Sequence, residues 1–135
     1  MQDFPIGEAA RRSGVKVPTI RYYEQIGLLP EPVRTAGNRR LYDEATVRRL
    51  FFILHARELG FGMEAIRTML ALQDDPGRSC ARVDEIATHR IAEIDQRIAS
   101  LTALKAELAT MLDECRHGRI GQCRVIETIS SPSAG

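Results

Sequence analysis

A chain of 135 residues, 44% of them apolar, 5% aromatic and none Trp, has room for one compact domain or a small domain with a long extension, and not for two full cores. The formal charge of +1 is unevenly divided: residues 1–69 carry eleven Lys/Arg against eight Asp/Glu, and residues 70–135 carry eight against ten, so positive charge gathers where a polyanion would dock. No basic segment followed by an apolar stretch opens the chain and no run of eighteen apolar residues occurs, so neither a signal peptide nor a membrane span is expected and the pattern predicts a cytoplasmic protein without a membrane partner.

In chain order, Phe4-Pro5-Ile6-Gly7 leads into Glu8–Ser13, a short helix stopped by Gly14, the residue that most readily takes the left-handed position after a helix. Val15-Lys16-Val17 links it to a second helix over Pro18–Gly27, where proline suits the first turn and glycine the exit. Between Leu29 and Tyr42 two prolines and a turn centred on Gly37-Asn38 predict a small hairpin, or wing. Asp43-Glu44-Ala45-Thr46 starts a third helix, whose Val47, Leu50, Phe51 and Leu54 recur at core-facing spacing as far as Leu59-Gly60. Glu64–Leu72 gives one more helix before a polar hinge at Gln73–Arg78.

From Val83 to Cys115 there is no Gly or Pro. Ile91, Ile94, Ile98, Leu101, Leu108, Leu112 and Cys115 fall at alternating three- and four-residue steps, with Lys105 as a polar interruption. That is a coiled-coil seam. One helix with one apolar stripe cannot cover itself, and no second long helix is present, so the pattern predicts a homodimer. Beyond Cys115, Gly118 and Gly121 mark a loop, Cys123 opens a short helix to Ile129, and a Ser/Pro/Ala/Gly tail is expected to be disordered. The expected fold is all-α dominated: an N-terminal winged helix-turn-helix (1–72), a hinge (73–82), a dimerisation helix in an antiparallel coiled coil (83–115), a loop and short helix (116–129) and a tail (130–135).

Lys16, Thr19, Arg21, Tyr22 and Tyr23 cluster near the start of the second helix, and the wing adds Arg34, Arg39, Arg40 and Tyr42. Cations and phenolic hydroxyls of this kind bond phosphate oxygens and base edges of duplex DNA. Any one arginine reads as a solvated surface residue. The order of elements, helix-turn-helix and then an Arg-rich hairpin, favours the DNA reading. The run Arg21-Tyr22-Tyr23-Glu24, with Gly27-Leu28-Leu29-Pro30 two residues further on, together with the Ile6–Gly14 helix and Arg34 and Arg40-Leu41-Tyr42 in the wing, resembles the MerR family of transcription regulators. The likeness extends through the long helix to the cysteine loop. Two departures stand out: Lys16-Val17 where the family has a Thr or Ser cap, and Asn38-Arg39-Arg40 where it has a Gly-Tyr-Arg turn. Val is a poor cap, so entry to the second helix is expected to lean on Pro18. The resemblance implies promoter DNA and RNA polymerase as partners, and a dimer that activates transcription by distorting an overlong promoter spacer. No nucleophile with its base, paired carboxylates or phosphate loop points to an enzyme.

Three cysteines in a reducing compartment favour metal or redox chemistry over disulfides. Cys80 precedes the long helix and Cys115 ends it, a separation of roughly 50 Å at about 1.5 Å per residue. Antiparallel pairing brings Cys80 of one subunit beside Cys115 and Cys123 of the other, three thiols at each end of the dimer. Thiolates prefer soft or borderline cations such as Zn, Cd, Hg, Pb or Cu(I). A cysteine at position 80 is, by the resemblance, the mark of a sensor of divalent ions, which leaves Zn, Cd, Pb and Hg, each shared between subunits, with His117 as a candidate fourth ligand. Oxidation or alkylation of Cys115 and Cys123 on the same scaffold is the alternative reading. His55 and His89 have no cysteine neighbours in sequence and read as structural.

Overall fold

The computed structural model describes residues 3–115 and 118–132. The first helix, α1 (Ile6–Ser13), begins after extended Pro5 and ends where Gly14, at φ +79°, donates its N–H to the Ala10 carbonyl. A side chain at that φ would be strained, so glycine makes the tight exit possible. Ser13 is buried, and its Oγ accepts the Val15 N–H at 3.1 Å, which fixes the connection to the next helix. That helix, α2, spans Val17–Gln25; its N-cap is Lys16, which provides no side-chain cap, and Pro18 sits in the first turn. Val17 is therefore inside the helix and not its cap. Entry rests on the extended backbone of Lys16 and the preset φ of Pro18.

The wing consists of β1 (Val33–Arg34) and β2 (Arg40–Leu41), antiparallel, with Val33 opposite Leu41 and Arg34 opposite Arg40. Thr35 closes its tip. Its carbonyl accepts the Asn38 N–H at 2.8 Å and its Oγ1 the Arg39 N–H at 3.1 Å, while Asn38 takes the left-handed conformation at φ +65°. Asn tolerates that region better than other side-chain-bearing residues. Phe4 and Tyr42 exchange backbone hydrogen bonds of 2.8 Å, tying the start of the chain to the base of the wing.

Asp43 caps α3 (Glu44–Glu58), its carboxylate accepting the Thr46 N–H at 2.9 Å. Helix α4 (Met63–Gln73) follows a turn in which Gly60 adopts φ +84°. The buried face of α3 is Leu50, Ile53 and Ala56, with Val47 and Leu54 packed at its margin. Phe51, expected in the core, is exposed and lies against the His55 ring, centroids 4.2 Å apart. Apolar residues run through Leu50–Leu54 without a break, so spacing alone leaves the inward arc undefined by one residue.

Two compact units result, Met1–Ile86 and Ala87–Gly135. The first has a continuous core in which Ile20, Leu28, Leu50, Ile53, Ile66 and Leu70 are fully buried, and Ile86, from the first turns of α5 (Ala81–Cys115), joins it. The second holds the rest of α5, a single 3₁₀ turn (Ile120–Gln122) and α6 (Arg124–Ser130). Arg124 ties α6 to the end of α5, with its Nε 2.9 Å from Glu114 Oε2. Ile91, Ile94, Ile98, Leu101, Leu108 and Leu112 are all between 39% and 66% exposed, and Leu104 lies beside them next to Lys105. No helix among the described residues is long and apolar enough to cross a membrane.

Candidate functional site

The nine residues expected to meet DNA separate into two groups. Lys16, Arg21, Tyr22, Arg34 and Arg39 face solvent, and Thr19 and Arg40 are half-buried. They offer cations and hydroxyls from α2 and from the wing, with Arg34 also donating from its guanidinium to the Asn38 carbonyl at 3.2 Å across the wing tip. Tyr23 and Tyr42 are buried, at 9% and 2% exposure. Expected to contact DNA, these two residues pack into the core of the unit and do not stand out from α2 and the wing as the others do.

Tyr42 is held there by Glu24, whose tertiary role no local pattern announces. The Tyr42 hydroxyl donates to Glu24 Oε1, and the half-buried Arg40 guanidinium places its Nε 3.2 Å from Glu24 Oε2. One carboxylate on α2 thus holds both ends of the wing's second arm. Burial, and then the Glu24 bond and charge, push the Tyr42 hydroxyl well above the ordinary tyrosine range, so it stays a donor. The Tyr42–Glu24 bond is charge-assisted and partly dry, the stronger kind, whereas Arg40 Nε faces Glu24 Oε2 as an ion pair without a hydrogen bond; together they tie the start of β2 and the residue after it to α2.

The far end of α2 is gripped by two further arginines. Arg67 of α4 donates to the Ile26 carbonyl at 2.9 Å, and Arg49 of α3 donates through Nε to the Leu28 carbonyl at 3.1 Å. Carbonyls at a helix exit lack partners within the helix, so Arg67 satisfies that of Ile26 and complements the negative end of the dipole, while Arg49 holds the segment just beyond the Gly27 turn. Gly27, at φ +78°, makes the intervening turn. No motif announces Arg49 or Arg67. Their role follows from tertiary packing alone.

Among the thiols, Cys80 is exposed immediately before α5, where its carbonyl accepts the Asp84 N–H at 2.9 Å; Ser79 Oγ accepts the Ala81 N–H at 3.1 Å. An apolar cleft lined by Phe52, Met69, Leu72 and Val83 opens beside it. Cys123 is half-buried at the N-cap of α6. Cys115 is the last residue of α5, and its side chain, like His117 and residues 133–135, lies outside the described residues. Among the described residues no three His, Cys, Asp or Glu side chains gather as a cation site. The sulfur donors at Cys80 and Cys123 fit a soft or borderline cation and not a hard one such as Mg²⁺.

A helix, a tight connection, a second helix bearing cations and a two-stranded cationic wing define a winged helix-turn-helix protein, a DNA-binding class. The chain belongs to the MerR family: the model described as "MerR HTH family regulatory protein" matches residues 4–73 and that described as "MerR, DNA binding" matches residues 47–111. It is therefore a DNA-binding transcription regulator and not an enzyme. The heavy metal-dependent transcription regulator 2 of Rhizobium meliloti is 39% identical over 96% of this chain and 88% of its own length. The transcriptional regulator ZntR of Escherichia coli is 37% identical over 98% of this chain and 96% of its own. The crystal structure of the regulator PbrR691 of Ralstonia metallidurans in complex with lead(II) superposes with a TM-score of 0.81 at 35% identity, covering 94% of this chain and 99% of that one.

Proposed function

We propose that the chain is a divalent-metal-responsive activator and repressor that works in the cytoplasm as a homodimer on promoter DNA. The observation that carries this reading is the row of exposed apolar residues along α5, from Ile91 to Leu112, bounded by Cys80 before the helix and Cys115 at its end. At roughly 25 cal/mol per Å², so much apolar surface left in water favours association strongly. Antiparallel pairing of two α5 helices covers it and brings Cys80 of one subunit to Cys115 and Cys123 of the other.

Three thiolates, with His117 as candidate fourth ligand, would hold Zn, Cd, Pb or Hg, and the bound cation supplies the cross-link between subunits. The names of the relatives support this class of ligand: one is a heavy metal-dependent regulator and one structure holds lead(II). Lys16, Thr19, Arg21, Tyr22, Arg34, Arg39 and Arg40 contact the duplex, while Tyr23 and Tyr42 hold that surface in shape. With a cation bound, the two heads reorient and the dimer bends and untwists an overlong promoter spacer, which lets RNA polymerase open it. The shift is limited by the difference in cation affinity between the two arrangements.

Titration of Zn, Cd, Pb and Hg, followed by native mass spectrometry, tests the reading. Wild type should bind two ions per dimer, and Cys80→Ser should weaken binding by about tenfold or more. A monomer, or a Cys80→Ser variant that binds as wild type does, contradicts the shared site.

A further inference from the structure

We propose that the ion pair between Arg49 and Asp74 links the segment carrying Cys80 to the recognition helix α2, so that Arg49 and Asp74 are positioning residues for the metal response. The inference rests on the metal-responsive reading above and adds the route by which a change near Cys80 reaches DNA. It is carried by one side chain with two engagements. Arg49 Nε holds the Leu28 carbonyl at 3.1 Å and its NH1 nitrogen lies 3.3 Å from Asp74 Oδ1. Leu28 and Leu29 are buried immediately beyond α2. A movement of that guanidinium therefore acts on the buried Leu28-Leu29 segment that leaves α2 through the Gly27 turn.

Asp74 is the C-cap residue of α4, and six residues lead from it to Cys80. That stretch is stitched to itself and to both flanking helices. The Asp75 N–H bonds the Leu72 carbonyl at 3.1 Å, Arg78 N–H bonds the Asp75 carbonyl at 3.1 Å, Ala81 N–H bonds Ser79 Oγ at 3.1 Å, and Asp84 N–H bonds the Cys80 carbonyl at 2.9 Å. Through this connection a displacement of Cys80 would reach Asp74. The energetics also suit a switch. The Arg49 side chain is 25% exposed and that of Asp74 66%, and an ion pair with so wet a partner contributes little to folding. It can be remade or broken between two arrangements of similar free energy at a cost that a bound ligand can supply.

The test uses the full chain, a duplex recovered by selection from a random library, and Zn(II) or Pb(II). Promoter distortion is read by footprinting with and without metal, for wild type, Asp74→Asn and Asp74→Glu. For Asp74→Asn the metal affinity and the metal-free DNA affinity should stay within about twofold of wild type, while the metal-dependent change in distortion falls about threefold or more; Asp74→Glu should restore it. An Asp74→Asn response equal to wild type overturns the link. So does an equal loss of DNA affinity in both states, which marks a merely structural role, or failure of Asp74→Glu to restore the response. Wild type unresponsive to either metal contradicts the proposed function instead and is read from wild type alone, so the two failures are separate.

Discussion

Glu24 shows how one carboxylate can organise a binding surface it does not form. Its two oxygens are taken by the Tyr42 hydroxyl and the Arg40 guanidinium, so the wing is anchored through a charged, largely buried acceptor. Removing only the phenolic oxygen isolates that bond. Tyr42→Phe should lower stability in urea denaturation by about 1.5–3 kcal/mol, the range for a hydrogen bond to a charged group. Equal stability would mean that Arg40 alone satisfies Glu24. The cations of α2 and the wing were legible in sequence, because lysines, arginines and tyrosines in this order of elements suit a polyanion. Which phenols face outward was not. Tyr22 and Tyr23 are adjacent in sequence yet one is exposed and the other buried, a distinction made by the helices packed around α2 and absent from local pattern. Arg49 and Arg67 escaped for the same reason, since each acts on a carbonyl more than twenty residues away in sequence.

At the level of elements, helix ends are where side-chain chemistry and backbone meet most legibly. Asp43 was readable as a start signal for α3, and its carboxylate accepts the Thr46 N–H. That bond, first among the causes, holds the Asp43 carboxyl below the ordinary aspartate range. A lowered native pKa means stability that is complete above the unfolded aspartate range and is lost as the pH falls through the native value. Asp43→Ala should therefore cost about 1 kcal/mol near neutral pH. In thermal unfolding the gap between wild type and variant should narrow in acid; a gap that persists there would assign the loss to something other than the charged cap. Glycine exits at Gly14, Gly27 and Gly60 were likewise foreseeable, each at positive φ. The rotation of α3 was not, because five consecutive apolar residues permit more than one inward face.

Over the whole chain, the contrast is between a unit with its own core and a helix without one. The core of Met1–Ile86 closes on itself, whereas the apolar row of α5 is uncovered in the single chain. Its three-and-four spacing was visible in the sequence because a glycine- and proline-free stretch has no competing pattern. Leu104, which flanks the interruption at Lys105, was missed because it breaks the strict alternation. A charge placed mid-row should be repeated in both copies and remain unpaired. Leu101→Asp should raise the dimer dissociation constant by about a hundredfold, seen as monomer in sedimentation equilibrium at micromolar concentration; an unchanged dimer would remove α5 as the interface. The backbone bridge between Phe4 and Tyr42 has a practical corollary for anyone handling this molecule. A purification handle fused ahead of Phe4 departs from the base of the wing, and one fused after α6 departs a few residues past Cys123. On the proposed function, a polyhistidine peptide at either end would bring its own imidazoles near the residues proposed to meet cations or phosphates.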